Sequence, residues 1–228
     1  MLQLLPNKIS IEPIIEQVQS LGDFGKRLVL NDMAGDFFSD PWATKNEFIN
    51  TPLGNLLSQL GPNGQARLLC LESGESYTAH ADPDDRIHLA IVTNPYSFLV
   101  DISGNHLHHV PADGSLWRMD TSKTHVASNW GPRNRIHLNI RCLLPKFKLD
   151  RPGIHIEVTG GDYDWKQETY IELMGFINQQ IKNNYITGFS STNERELFLN
   201  CDLPEMFLPM IDKIKSKNIG IEFTKLTF

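Results

Sequence analysis

The spacing of apolar positions changes character along the chain. Ile11, Ile14, Ile15, Val18 and Leu21 fall at helical intervals, and Gly22 supplies a stop, so a helix is expected early in the chain. A short strand, KRLVLND, follows. Residues 31–50 mix Gly, Asp, Pro and Asn with the aromatics Phe37, Phe38, Trp42 and Phe48, and read as an ordered loop. The stretch TPLGNLLSQLG predicts a second helix with Thr51 as N-cap and Pro52 in its first turn.

From about residue 66 to 147 the period shortens. The runs ARLLCLE, RIHLAIVTN, YSFLVDI, HLHHVPA, SLWRMD and RIHLNIRCLL are separated every eight to twelve residues by Gly, Pro, Asp and Asn. That rhythm predicts an antiparallel sandwich or barrel. Two runs nearly repeat each other, Asp85-Arg-Ile-His-Leu-Ala-Ile91 and Asn134-Arg-Ile-His-Leu-Asn-Ile140. Alternation puts Arg86, His88 and Ala90 on one face, and Arg135, His137 and Asn139 on one face, with Ile and Leu opposite. Such strands lie between a core and a wet cavity. Beyond Pro145 the pattern becomes strand (IHIEVTG), long amphipathic helix (164–183), strand (ELFLNC), helix (LPEMFLPMIDKIKSKN) and strand (IGIEFTKLTF). The expected organisation is a β-rich domain over 1–147 with an N-terminal helical segment, followed by a small α/β appendage over 148–228.

Composition narrows the function. The 228 residues are 40% hydrophobic and 21% charged, an ordinary globular balance, with a net charge of −6. An acidic chain has no reason to gather phosphate backbones, so nucleic acid is not an expected partner. No apolar run reaches the roughly 20 residues that span a bilayer. The first residues combine too short an apolar stretch with too early an acid for a secretory signal. Cys70, Cys142 and Cys201 are too far apart for a metal finger and read as reduced thiols. A cytoplasmic protein is expected.

The chemistry concentrates at Tyr77-Thr-Ala-His80-Ala-Asp82. Residues i and i+2 of an extended segment share a face, so His80 and Asp82 offer an imidazole and a carboxylate to one point. Those are two members of the two-His-one-carboxylate triad that holds Fe(II) with positions left open for other ligands and O2. A third ligand, His125, follows some forty residues downstream. Arg135, ten residues further on, can face the same cavity and clamp a carboxylate bidentately.

The ordered set His80-x-Asp82, Arg86-x-His88-Leu, Trp117, Asp120, His125, Asn129 and Arg135-x-His137-Leu resembles the aspartyl/asparaginyl β-hydroxylase and free-proline hydroxylase group of Fe(II)/2-oxoglutarate oxygenases. The resemblance covers about a third of the chain. It implies a double-stranded β-helix (jelly-roll, cupin-like) core, iron on His80, Asp82 and His125, and the distal carboxylate of 2-oxoglutarate on Arg135. Arg86 and His88 match an Arg-x-His close to the cosubstrate. The β-hydroxylase branch has Gly in place of Asp82, whereas the triad here is complete, as in the amino-acid hydroxylases. The implied activity is hydroxylation of an amino acid, free (proline, Asp or Asn) or within a peptide, with release of succinate and CO2.

A free amino acid needs partners of its own, for which Trp117, Arg118, Asn129 and an arginine near 133 are candidates. Asp120 and Asn129 also suit loop shaping. His106 and His108 share a face, but a hairpin after Ile102-Ser-Gly accounts for them. Two other classes stay open: a cupin-like metal enzyme without 2-oxoglutarate, and a non-catalytic jelly-roll binding module. A homodimer is compatible with the sequence, which leaves the oligomeric state open.

Overall fold

A computed structural model describes residues 1–159, 163–193, 195–217 and 220–227. The protein is mainly β, with few helices, and the strands within each sheet pair antiparallel.

The first residues form a strand, β1 (Leu2–Lys8), that carries no period-2 signal of its own. Its pairing with a later strand decides its conformation. Helix α1 (Glu12–Ser20) follows, burying Ile14 and Val18, and Gly22 leaves it at φ +65°. The stretch read as one strand and a loop holds β2 (Arg27–Val29), β3 (Asn31–Asp32), β4 (Ala43–Thr44) and a short 3-10 turn. Helix α2 (Pro52–Leu60) starts where expected, with Thr51 Oγ1 accepting from the Gly54 amide at 3.3 Å.

The strands that matter for the site are β5 (Ala66–Leu71), β6 (Glu75–Ser76), β7 (Arg86–Val92), β8 (Ser97–Asp101), β9 (His106–His108), β10 (Ser115–Met119), β11 (His125–Asn129) and β12 (Arg135–Arg141). Six strands form one sheet in the order β1-β10-β7-β12-β5-β2, and four form another in the order β6-β11-β8-β9. The outer face of the larger sheet packs Leu68, Leu89, Ile91, Leu138 and Ile140 against Ile14, Val18, Leu53, Leu56 and Leu57 of the helices. On its inner face Leu71, Ala90 and Met119 meet Leu99 and Ala127 of the smaller sheet. Arg86, His88, Arg135, His137, Asn139 and Arg141 on that inner face are polar and buried, as alternation in the two repeated runs predicts. The β8–β9 hairpin turns through Asn105 at φ 55°, which accounts for His106 and His108 as strand residues.

The remaining elements are β13 (Gly153–Thr159), α3 (Tyr163–Lys182), β14 (Ile186–Asn193), β15 (Glu196–Cys201), α4 (Leu208–Lys215) and β16 (Gly220–Leu226). The strands form a third sheet, β14-β15-β13-β16, whose core includes Ile154, Leu173, Ile177, Phe189, Leu199 and Phe207. Strand β14 was hidden in the sequence by its Gly and Ser content. Among the described residues no helix is long and apolar enough to cross a membrane.

Candidate metal centre and the polar inner face

His80 and His125 face each other across an isolated antiparallel bridge, with His80 N–H donating to His125 O at 3.1 Å and His125 N–H to His80 O at 2.9 Å. Two residues on, the Asp82 amide donates to Thr121 O at 3.0 Å. This backbone register brings three side chains separated by up to 45 positions in sequence to one point. Asp82 Oδ2 lies 3.7 Å from Nε2 of each imidazole, and the ring centroids are 4.3 Å apart. The three ligand atoms all lie within 4.8 Å of one another, so this group can hold a metal ion.

The donor chemistry fits a metal. His80 Nδ1 is 2.8 Å from Thr78 O and His125 Nδ1 is 2.9 Å from Lys123 O. A backbone carbonyl can only accept, so each Nδ1 carries the proton and each Nε2 presents its lone pair to the shared point. Two atoms at about 2.1 Å from one ion sit roughly 3.0–3.5 Å apart, so each carboxylate–imidazole separation, at 3.7 Å, needs to contract by only a few tenths of an ångström. His125 is buried and held neutral. Burial, reinforced by the neighbouring His80, lowers its pKa to about 4. Burial pushes the Asp82 carboxyl up, but Arg86 and then the two imidazoles outweigh it and leave it below the usual aspartate value.

Asp82 is braced from two directions. Arg86 donates to its Oδ1 at 2.9 Å, which leaves Oδ2 alone facing the imidazoles. Arg86 also binds Asp84, whose carboxylate takes two bonds from Arg141, at 2.6 and 2.9 Å. Arg141 in turn lies 4.5 Å above the rings of Phe37 and Phe38. From the other side, Asn178 of α3 donates to Asp82 O at 3.1 Å and lies within 3.3 Å of Thr121 Oγ1. Gly175, one turn earlier, allows this approach, because a Cβ there would stand 2.4 Å from Ser122 O. Gly175→Ala is expected to cost about 1–3 kcal/mol of stability by overpacking. Displacing the loop around Asp82 should also weaken metal binding about tenfold or more. Thermal melts and a metal titration measure both, and unchanged metal affinity would mean that α3 does not position the ligand.

The sequence-derived cosubstrate residues are distributed as follows. Arg135 is 1% exposed; its Nη2 donates to His137 Nδ1 at 2.9 Å, and its Nε is buried without a partner. Among the described residues it has no ion pair, and burial lowers its pKa to about 10. His88 lies on the same face, with Nε2 at 3.2 Å from Asn139 Nδ2 and Nδ1 without a partner. Arg86 is committed to Asp82 and Asp84 rather than open to a small molecule.

The substrate candidates divide. Trp117 faces inward opposite His88 in the β10–β7 register, with Nε1 buried and unpartnered. Arg118, one residue on, points to the opposite face and donates to Asp85 at 3.0 Å. Asn129 is fully buried and spends every polar atom on the fold. Its amide donates to Leu71 O, Glu72 O and Arg133 O at 3.0, 3.0 and 2.8 Å. Its Oδ1 accepts from Asn94 and Ser97, both at 2.9 Å. Nothing on it remains for a substrate, and its role is to tie β11 to the turns at 72 and 133. Asp120 likewise caps Ser122 and pairs with Lys182 at 2.6 Å. Sequence reading missed Arg67 and Asn139, whose unpartnered atoms share the inner face; the signal was the polar residue recurring at alternate positions of otherwise apolar strands.

Burial depresses the pKa values of His88 and His137 well below the usual 6.5, as it does for His125. The unfolded chain protonates all three near pH 6.5, while the folded chain does not, so it binds more protons than the native state as pH falls. The linkage slope is then positive: stability of the metal-free protein rises with pH and is lost on acidification from about 6.5 toward 4. Three protons correspond to a slope of about 4 kcal/mol per pH unit at its steepest. Denaturant unfolding at pH 7.5 and 5.5 measures it, and equal midpoints would contradict neutral burial of these imidazoles.

No family model matches the chain. No curated protein matches it. Among solved structures it is similar to the crystal structure of DMSP lyase DddQ from Ruegeria pomeroyi DSS-3, with 13% identity over 61% of this chain and 77% of that chain, at a TM-score of 0.29. A likeness at that level carries no argument about activity, and the hydroxylase resemblance stays one carried by the residues themselves.

Proposed function

We propose that the chain is a mononuclear metal enzyme using His80, Asp82 and His125, and that its finer chemistry is Fe(II)- and 2-oxoglutarate-dependent hydroxylation of an amino acid or of a residue in a peptide. The observation that carries the reading is the combination of three converging ligand atoms with a buried guanidinium, Arg135, that has no counter-charge in the described chain. Iron on such a set supplies O2 activation coupled to oxidation of 2-oxoglutarate to succinate and CO2. The chain's own part is positional. Asp82 offers one oxygen because Arg86 holds the other, which keeps coordination positions free for small molecules. Arg135 takes a distal carboxylate, and a charge-assisted bidentate bond there replaces an uncompensated cation. Ala90, Leu99, Met119 and Ala127 keep water from the space between the sheets.

The strand orders support a double-stranded β-helix core. From β5 to β12 the chain changes sheet at every step except the β8–β9 hairpin, which fits two antiparallel strand pairs wound into such a helix. We take residues 148–228 as an appendage whose helix α3 steadies the Asp82 loop.

A second reading, a cupin-like metal enzyme that does not use 2-oxoglutarate, is favoured by His88 and His137. Both are neutral, buried, and each keeps one ring nitrogen unbonded, which suits proton transfer in a lyase or isomerase. Anaerobic reconstitution with Fe(II), followed by optical titration with 2-oxoglutarate, separates the readings. A weak visible charge-transfer band, absent from His80→Ala, is the expected result. A metal-dependent rise in melting temperature without any band would select the second reading. Neither a band nor a metal response would leave a binding module.

A further inference from the structure

Four arginines, Arg67, Arg86, Arg135 and Arg141, lie on the inner face of the six-stranded sheet, as the registers of β5, β12 and β7 require. Arg86 and Arg141 are paired with Asp82 and Asp84. Arg135 and Arg67 have no ion pair among the described residues. Arg67 makes one long bond, Nη1 to Gln65 Oε1 at 3.3 Å, and its Nε is buried with no partner. Burial, with Arg86 and Arg141 nearby, lowers its pKa to about 10. Arg67 is half-buried, and an Nε withdrawn from water with no carboxylate in ion-pair range among the described residues is costly, so an anion bound beside it recovers that cost.

The cross-strand register places Arg67 opposite Asn139, Asn139 opposite His88, and His88 opposite Trp117. In this one row Arg67 Nε, Asn139 Oδ1, His88 Nδ1 and Trp117 Nε1 are all buried without hydrogen-bond partners. Asn139 Nδ2 donates to His88 Nε2, which assigns the ring proton to Nδ1. The row therefore presents three N–H donors and one carbonyl acceptor. Arg135 lies four residues along β12 from Asn139, a backbone separation of about 13 Å at 3.3 Å per residue, so the two arginines enter the inner face from different levels of the sheet. With 2-oxoglutarate chelating through one end, only its distal carboxylate is left, and that one is assigned to Arg135.

We propose that Arg67 holds a free carboxylate of the substrate itself, so that the substrate is a small carboxylic acid rather than a residue inside a peptide. The inference rests on the metal-enzyme reading for where the reaction occurs, not on the use of 2-oxoglutarate. Asn139 Oδ1 accepts an N–H of the same molecule. Arg118, the arginine that sequence reasoning put forward for this task, is held on the outer face by Asp85.

The test uses the full chain loaded with Zn(II), which binds the same ligands without turnover. With 2-oxoglutarate at saturation, the twenty common amino acids and their carboxamides are titrated by calorimetry into wild type, Arg67→Gln and Arg67→Lys. At least one free acid is expected to bind wild type, its carboxamide at least tenfold more weakly. Arg67→Gln should lose the free acid by at least tenfold while keeping 2-oxoglutarate within about twofold, and Arg67→Lys should restore part of the affinity. The proposal is overturned if no free acid binds, if carboxamides bind as tightly as acids, or if Arg67→Gln weakens 2-oxoglutarate as much as a change at Arg135 does. If wild type binds a free acid through Arg67 but ignores 2-oxoglutarate, the hydroxylase reading fails and the Arg67 site stands.

Discussion

His125→Ala is expected to weaken metal binding about a thousandfold while leaving a folded protein. Three ligands share the binding free energy of the ion, and a protein imidazole at a site of this kind accounts for about 4 kcal/mol of it. No neighbouring group replaces it, since His80 and Asp82 are the only other members of the cluster among the described residues. The fold survives because the His80–His125 bridge is made by backbone atoms, which alanine retains. Truncating a buried side chain should cost the metal-free protein only about 1–2 kcal/mol. Competition titration with a chromophoric chelator, run beside a thermal melt, reads both effects. Metal affinity within tenfold of wild type would remove His125 from the site. The variant should also show a shallower loss of stability on acidification, by one proton in three, because it lacks one of the neutral imidazoles.

Arg135→Met should have two effects of opposite sign. In the ligand-free protein it replaces a buried cation that has no counter-charge among the described residues by an unbranched apolar chain, which relieves a desolvation cost. His137 Nδ1 loses its donor, a penalty of about 1 kcal/mol that offsets part of the gain. The net expectation is a stabilisation of about 1–2 kcal/mol, readable as a rise of several degrees in melting temperature. Binding of 2-oxoglutarate, by contrast, should fall at least a hundredfold, because a desolvated charge pair is lost in full. This is the stability–function opposition expected where a site stores an unpaired charge for its ligand. A variant less stable than wild type by more than about 2 kcal/mol would show that the guanidinium is already compensated within the fold.

The strongest local signals survived comparison with the structure because they depend on short-range physics. Thr51 caps α2 because a hydroxyl beside Pro52 can reach the Gly54 amide in any protein. The repeated Arg-Ile-His-Leu runs became neighbouring strands, β7 and β12, with their polar residues inward, because alternation assigns faces before any partner is known. The convergence of His80 and Asp82 follows from the same two-residue period. What failed was equally physical. Leu2–Lys8 has too few buried positions to declare itself a strand, and pairs with β10 only because that edge was open. Asn129 looked like a polar group near a site, yet its side chain is consumed by carbonyls 57 and 58 residues away in sequence.

The sequence by itself therefore determined the β-rich class, the faces of the strands and the choice of His80, Asp82 and His125 as candidate ligands, since these depend on residue type and local period. Tertiary structure alone decided which arginines are neutralised. Arg86, Arg118 and Arg141 meet Asp82, Asp84 and Asp85, whereas Arg67 and Arg135 pair with no carboxylate among the described residues. Charge pairing depends on cross-strand register and on which face a side chain occupies after the sheets close, and neither is written in the spacing of charges along the chain.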